Sequence, residues 1–218
     1  KEIISFHGSE NIAAVIVEPV AGSTGVLVPP KGYLEKLRKI CTDNDIILIF
    51  DEVITGFGRV GDSFACNRFN VFPDIITLAK GITNATVPMG AVGVTSKIYK
   101  TLYDTHKKGI EFFHGYTYSG HPLACAAGLA TLEVYEEDDL FNRARSLEKY
   151  FEARAHSISK LNMVKDIRNI GLVAGVELTE RNKDPLTLGR DVFEKCLAFL
   201  DTRVELDQKG FKEDIFEH

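Results

Sequence analysis

The chain has 218 residues, 44% of them hydrophobic, enough to bury a core as one large domain or two small ones. Its 31 acidic against 26 basic residues give a net charge of −5, and no basic run or aromatic-basic interleaving is present, so a nucleic-acid groove is not expected. No apolar run approaches the roughly 18 residues of a membrane span, and no signal peptide is read at the start, so no membrane partner is expected.

The four cysteines, Cys41, Cys66, Cys125 and Cys196, are scattered without a C-x-x-C pair. Neither a metal site nor a disulfide framework is expected from that spacing, and a reducing, cytoplasmic setting fits. The sequence opens without Met and reaches a strand within a dozen residues, so it is expected to be a piece of a longer protein.

In chain order, the β-branched run at 13–17 (AVIV with its leading Ala) predicts a strand covered on both faces. GSTGVLVPPKG follows as a loop broken by Gly and Pro. From Tyr33, Leu34, Leu37, Ile40 and Cys41 recur at helical spacing. IILIF at 46–50 predicts the next strand, DIITLAKG another over Ile75–Leu78, and GAVGVT a further one at 90–95, with Ser96 as N-cap of a helix. This alternation reads as an open α/β sheet. After His121 a long helical stretch breaks near 137–139, and MVKDIRNIGLVAGVEL predicts two short strands about a turn at Gly171. A boundary is placed near residue 135, between a large α/β domain (1–135) and a smaller α+β domain (136–218), joined by the helix after Pro122.

The chemistry starts with ILIFDEVITGFGR, where an apolar strand ends in two acids, Asp51 and Glu52. Such a pair fits the magnesium-holding end of a nucleotide hydrolase, an anion fixed under an organic cofactor, or two carboxylates merely solvating a strand end. The hydrolase reading requires a G-x-x-x-x-G-K-[ST] loop. GSTGVLVPPKG has its glycines and lysine at other spacings, and its two prolines remove amide donors. Lys80, in TLAKGITN, tips the balance. It follows the strand Ile75–Leu78, so an open parallel sheet delivers it and Asp51 to one carboxyl-terminal edge, where ligands bind. A lysine for a Schiff base and an anion for a ring nitrogen suit pyridoxal phosphate. The plain alternative for Lys80 is a snorkelling strand-end lysine.

VIVEPVAGSTGVLVPPKGYL, IFDEVITGFGRVG, PDIITLAKGIT with PMGAV, and HGYTYSGHPLACAAGLA occur here in the order and spacing of class III pyridoxal-phosphate-dependent aminotransferases, which this chain resembles over residues 12 to about 200. The resemblance is nearest the ω-amino acid–pyruvate (β-alanine–pyruvate) branch and covers the second half of a family member. It implies a fold-type I α/β architecture: part of a three-layer αβα large domain plus a smaller α+β domain, incomplete at its end. It implies pyridoxal 5'-phosphate as cofactor, an amino donor and a 2-oxo acid as substrates, and a homodimer, or a higher homo-oligomer, whose active sites are shared between subunits.

Residue by residue, the resemblance matches Lys80 to the lysine that binds the cofactor covalently and moves protons. It matches Asp51 to the aspartate on the pyridine nitrogen and Val53 to the residue packing on the ring face. Thr117 matches the threonine that reaches the cofactor phosphate of the neighbouring subunit. Glu52 and Arg59 occupy family positions for which structural roles are expected. Arg203 is the candidate for the substrate-carboxylate arginine, although its flanking residues do not match.

Two departures bear on substrate. Many members read EPIQGE where this chain has EPVAGS, so Ser23 replaces the acid kept by ornithine and GABA enzymes, and Ile54 replaces the glutamine of DEVQTG. Both agree with the ω-transaminase branch. Another class III enzyme, such as one resembling glutamate-1-semialdehyde aminomutase, and a non-catalytic fragment are the rival readings.

Overall fold

A computed structural model describes residues 1–104, 114–179 and 185–208. The chain divides into two compact units, the first comprising Lys1–Ser157 with Ile167–Gly175 and the second the described residues of Ile158–Asp166 and Val176–His218.

The first unit is built on a four-stranded sheet, β1 (Ala14–Val17), β2 (Ile47–Asp51), β3 (Ile75–Leu78) and β4 (Ala91–Val94), in that spatial order. β1, β2 and β3 run parallel, while β4 is antiparallel to β3. The predicted strands therefore form, but the reversal of β4 had no signature in its own residues. The connection over 79–90, which includes the turn Lys80–Ile82, returns the chain alongside β3.

Side chains alternate across the sheet, and the two faces differ. Leu48 and Phe50, both fully buried, point to one face and join Leu34 and Cys41 of α2 (Tyr33–Asp43), with Ile46, Cys66 and Val71, in the main hydrophobic cluster. The opposite face carries a row set by register, Ile16, Ile49, Ile75 and Val94, followed by a second row of Asp51, Thr77 and Val92. Ile16 is 61% exposed and Val92 64%, so the expectation that β1 is covered on both faces is not met among the described residues.

α2 begins after Gly32, whose left-handed φ of +82° lets the chain turn out of Pro29-Pro30, and ends at Asn44. Asp74 then ties strand to helix: its Oδ2 accepts from the Leu48 amide at 2.8 Å and from Arg38 Nη1 at 2.7 Å. Burial alone raises the Asp74 carboxyl, but the amide and guanidinium donors outweigh it and hold the group below the usual carboxylate range.

α1 (Glu2–His7) and α3 (Ala65–Phe69) are short helices that periodicity did not reveal, since neither is long enough to show one. α4 (Ser96–Asp104) follows β4, and here Ser96 is the first helical residue rather than the N-cap, with the Thr95 carbonyl accepting from Tyr99 N–H. α5 (Pro122–Glu137) and α6 (Leu140–His156) break where the sequence placed the break, at Asp139 with φ +51°.

The boundary expected near residue 135 falls inside α5 and within the first unit. Tyr135 stacks between Phe57 and Phe141, with centroids 5.7 and 5.2 Å away, and its hydroxyl donates to the Gly81 carbonyl at 2.7 Å. α6 is likewise held to this unit, through Glu148, which accepts from Arg68 at 2.6 Å and from the Gly171 amide at 3.1 Å. β5 (Val164–Ile170) and β6 (Val173–Leu178) pair as a two-stranded sheet, with the predicted turn at Gly171. A side chain there is impossible, because a Cβ on Gly171 would lie 2.2 Å from the Val60 carbonyl carbon and its φ is +54°. In the second unit, Lys165 pairs with Glu177, and α7 (Pro185–Gln208) is a 24-residue helix for which the sequence offered no assignment.

Candidate functional site

The carboxyl-terminal edge of β2 and β3 brings two of the sequence-predicted residues together. Asp51 is the last residue of β2, and Lys80 follows β3 by two positions, on the adjacent parallel strand. In an open α/β sheet this edge is where helices and loops leave a crevice.

Asp51 is half-buried and on the open face. Its Oδ1 accepts from the Val53 amide at 3.1 Å, an Asx turn that starts the loop, and among the described residues no other donor reaches the carboxylate. One oxygen thus stays available to a ligand. Val53 is itself half-buried in the turn immediately after.

Lys80 is exposed and has φ +47°, a left-handed backbone that non-glycine residues rarely take. It opens the 3-10 turn Lys80–Ile82, whose Gly81 allows no side chain, since a Cβ there would lie 2.6 Å from Phe57 Cβ. The Tyr135 hydroxyl holds the same turn from the other side.

Thr77 stands beside Asp51, in register with it on the adjacent strand and three positions before Lys80. Its Oγ1 is buried and has no hydrogen-bond partner among the described residues. Buried hydroxyls are normally satisfied, so an orphan beside an unsaturated carboxylate marks a place for a group that brings its own polar atoms. A free carboxylate oxygen, an exposed primary amine, an apolar Val53 and an orphan hydroxyl fit a charged heteroaromatic aldehyde such as pyridoxal phosphate.

The neighbouring acid, Glu52, does something different. Adjacent residues point to opposite sides, and Glu52 is fully buried on the side of Phe50. Its Oε2 accepts from the Thr55 hydroxyl and the Ala65 amide, each at 2.7 Å, and its Oε1 from the Cys66 amide at 2.8 Å. The expected structural role is therefore a specific one: Glu52 joins the loop after β2 to the start of α3. Burial, with the Glu52 charge adding to it, pushes the Cys66 thiol up to about 12, so that sulfur stays protonated and inert. Arg59 also acts on the scaffold, donating to the Leu172 carbonyl at 3.2 Å.

Thr117 lies on a different and exposed loop, over 114–121, with Tyr116 and Tyr118 75% and 82% exposed beside it. Other residues of this loop, with the turn from Val87 to Gly90 and Ala124 and Cys125 of α5, line a cavity of about 360 Å³, to which Thr117, Asp51 and Lys80 do not contribute. Arg203 falls on the backbone of α7, and its side chain lies outside the described residues. Ile54 packs on Gly22, where a Cβ would be 2.8 Å from Ile54 Cδ1, so the two sequence departures, Ser23 and Ile54, belong to one neighbourhood.

Sequence reasoning passed over Thr77 and Tyr135. For Thr77 a signal existed, a hydroxyl within the apolar strand IITL at the position facing Asp51. Tyr135 carried none, because its partners Gly81 and Phe57 are 54 and 78 positions away.

Comparison with known proteins agrees with this geometry. The chain is 62% identical over 196 residues to an omega-aminotransferase of Caulobacter vibrioides, an alignment covering 90% of this chain and 45% of that protein. It is 49% identical over 186 residues to the beta-alanine–pyruvate aminotransferase of Pseudomonas aeruginosa, covering 84% and 42%. Among solved structures, an (S)-enantioselective omega-transaminase from Thermomicrobium roseum superposes with a TM-score of 0.77 at 42% identity, over 82% of this chain and 39% of that one. The omega transaminase of Pseudomonas jessenii in complex with PMP gives 0.77 at 37% identity, over 82% and 39%. The chain thus spans under half the length of these relatives. Residues 2–203 match the family Aminotransferase class-III. With a fold-type I α/β core and these matches throughout the described strands, the chain belongs to the class III aminotransferases, a pyridoxal-phosphate-dependent family.

Proposed function

We propose that the protein to which this chain belongs moves an amino group from an ω-amino acid or amine to pyruvate or a similar 2-oxo acid, with pyridoxal phosphate bound at Lys80. The observation that carries this reading is the delivery of Asp51 and Lys80 to one edge of adjacent parallel strands, with the orphan Thr77 hydroxyl in register with Asp51. The relatives named for omega-amino acid or beta-alanine–pyruvate transfer, and the Ser23 and Ile54 substitutions, support that substrate class.

When bound, the cofactor supplies an electron sink for breaking the bond between substrate carbon and hydrogen. The chain's own residues do the rest. The free Asp51 oxygen holds a proton on the ring nitrogen, and a carboxylate with one bond already satisfied is oriented for this. The Lys80 amine would hold the cofactor covalently at its aldehyde carbon and, once free, would serve as the base that moves the substrate proton. Its position after β3 and its clamped turn keep the amine on that edge. Val53 shields a ring face from water. Thr117 binds the phosphate of the neighbouring subunit, which makes the protein a homodimer with shared sites. A cytoplasmic location is part of this proposal, supported by the scattered spacing of the cysteines.

The full-length protein tests this directly. It should be yellow, its visible band should bleach on borohydride reduction, and peptide mapping should recover the pyridoxyl group on Lys80. Label on another lysine, or a colourless protein that binds ATP, would sink the proposal.

A further inference from the structure

We infer that Glu52 is a positioning residue for Asp51, an inference that rests on the proposed function. Every polar atom of Glu52 is engaged. Its amide donates to the Thr77 carbonyl at 3.0 Å, its carbonyl accepts from the Gly56 amide at 2.9 Å, and its two carboxylate oxygens share three donors at 2.7–2.8 Å. Asp51, by contrast, is oriented by one side-chain bond, from the Val53 amide at 3.1 Å. That amide belongs to the peptide leaving Glu52. Where Asp51 points is therefore decided by a turn that Glu52 fixes at both of its neighbours.

The chemistry requires a carboxylate. Its three partners are all donors, two of them backbone amides that cannot reverse, and each oxygen meets one of those two amides. An amide in place of the carboxylate sets an NH2 group against a backbone N–H whichever way it is turned. The turn has no slack to absorb this. A Cβ on Gly56 would lie 2.9 Å from the Glu52 carbonyl oxygen and 3.1 Å from Phe64. A displaced Glu52 thus moves the Val53 amide, and with it the free Asp51 oxygen.

The experiment uses full-length protein loaded with pyridoxal phosphate, and compares wild type, Glu52→Gln and Thr55→Val. Three quantities are measured: melting temperature, cofactor dissociation, and visible circular dichroism per bound cofactor, which reports how firmly the ring is held. Glu52→Gln should release cofactor about tenfold faster, the effect of one charge-assisted hydrogen bond, and lose most of its visible dichroism. Thr55→Val, which removes a single donor from a buried site of the same shape, should move both in the same direction by about threefold, and carries the test if Glu52→Gln does not fold. Variants that melt lower but keep wild-type dichroism and dissociation would reduce Glu52 to a fold staple and overturn the inference. A colourless wild type would overturn the proposed function instead, so the two failures are distinguishable.

Discussion

The loop after β2 and the loop over 114–121 both carry residues matched to the cofactor, yet they are built in opposite ways. In the first, Glu52 is fully buried with every polar atom bonded, and Thr55 is 1% exposed. In the second, Thr117 sits among exposed tyrosines, and the loop is tied by the amide of Tyr116 to Ser119 Oγ and by two backbone turns. A loop that must aim a charge with sub-ångström accuracy is fixed by its own chain. A loop that presents polar and aromatic side chains to the outside suits a surface completed by something else.

The largest effect expected from this contrast is at Lys80. Lys80→Ala should remove both covalent attachment and proton transfer, and lower the rate by about 10²–10⁴-fold, read as single-turnover amine transfer in the full-length enzyme. Retained turnover would mean that another base serves the edge.

Asp51→Ala comes next, and sharpens the claim that the first loop aims a charge. Its loss should slow the half-reaction about ten- to a hundredfold while cofactor remains attached through Lys80. An unchanged rate would leave Asp51 as a strand cap.

The second loop is tested by mixing. Full-length Lys80→Ala and Thr117→Ala subunits, allowed to re-pair, should regain activity, up to about half of wild type per mixed dimer, because one site then carries both defects and the other none. With exchange confirmed by mass, activity fixed at the parental average would place Thr117 in its own subunit's site and remove the difference between the loops.

Asp74 gives a smaller effect and a pH dependence. Its folded carboxyl is depressed, so the unfolded chain binds a proton more readily than the folded one. The stabilisation is therefore present above the unfolded value, about 3.9, and is lost as pH falls through the lower folded value. Asp74→Asn should lower stability by roughly 1.5 kcal/mol at neutral pH, through a weakened bond from Arg38, and the gap to wild type should close in acid. A gap of constant size across pH 2–7 would assign the loss to packing instead.

How much of this could be seen beforehand differs between the two regions in an instructive way. The strands were legible because apolar β-branched runs have few other uses, and the Asp51–Lys80 pair because parallel topology sends strand ends to one edge. The open face of β1 was not legible, since a run such as AVIV looks the same whether one side is covered or both. The division of labour between Asp51 and Glu52 was only half legible. Alternation separates their side chains, but the partners of Glu52 lie 3, 13 and 14 residues away, two of them in a helix too short to predict. Tyr135 was beyond reach for the same reason, its partners being distant in sequence.

The left-handed backbone of Lys80 has a bearing on selection. At this position the residue that best suits the conformation is glycine, which avoids a steric penalty of about 1 kcal/mol that any side chain meets. Lys80→Gly should therefore be more stable than Lys80→Ala, by roughly 1 kcal/mol in denaturant unfolding, reversing the usual ranking of the two. Drift under selection for stability alone would carry the lysine away. Under the proposed function, a lysine kept in so unsuitable a conformation is what a demand from chemistry outweighing one from folding would leave.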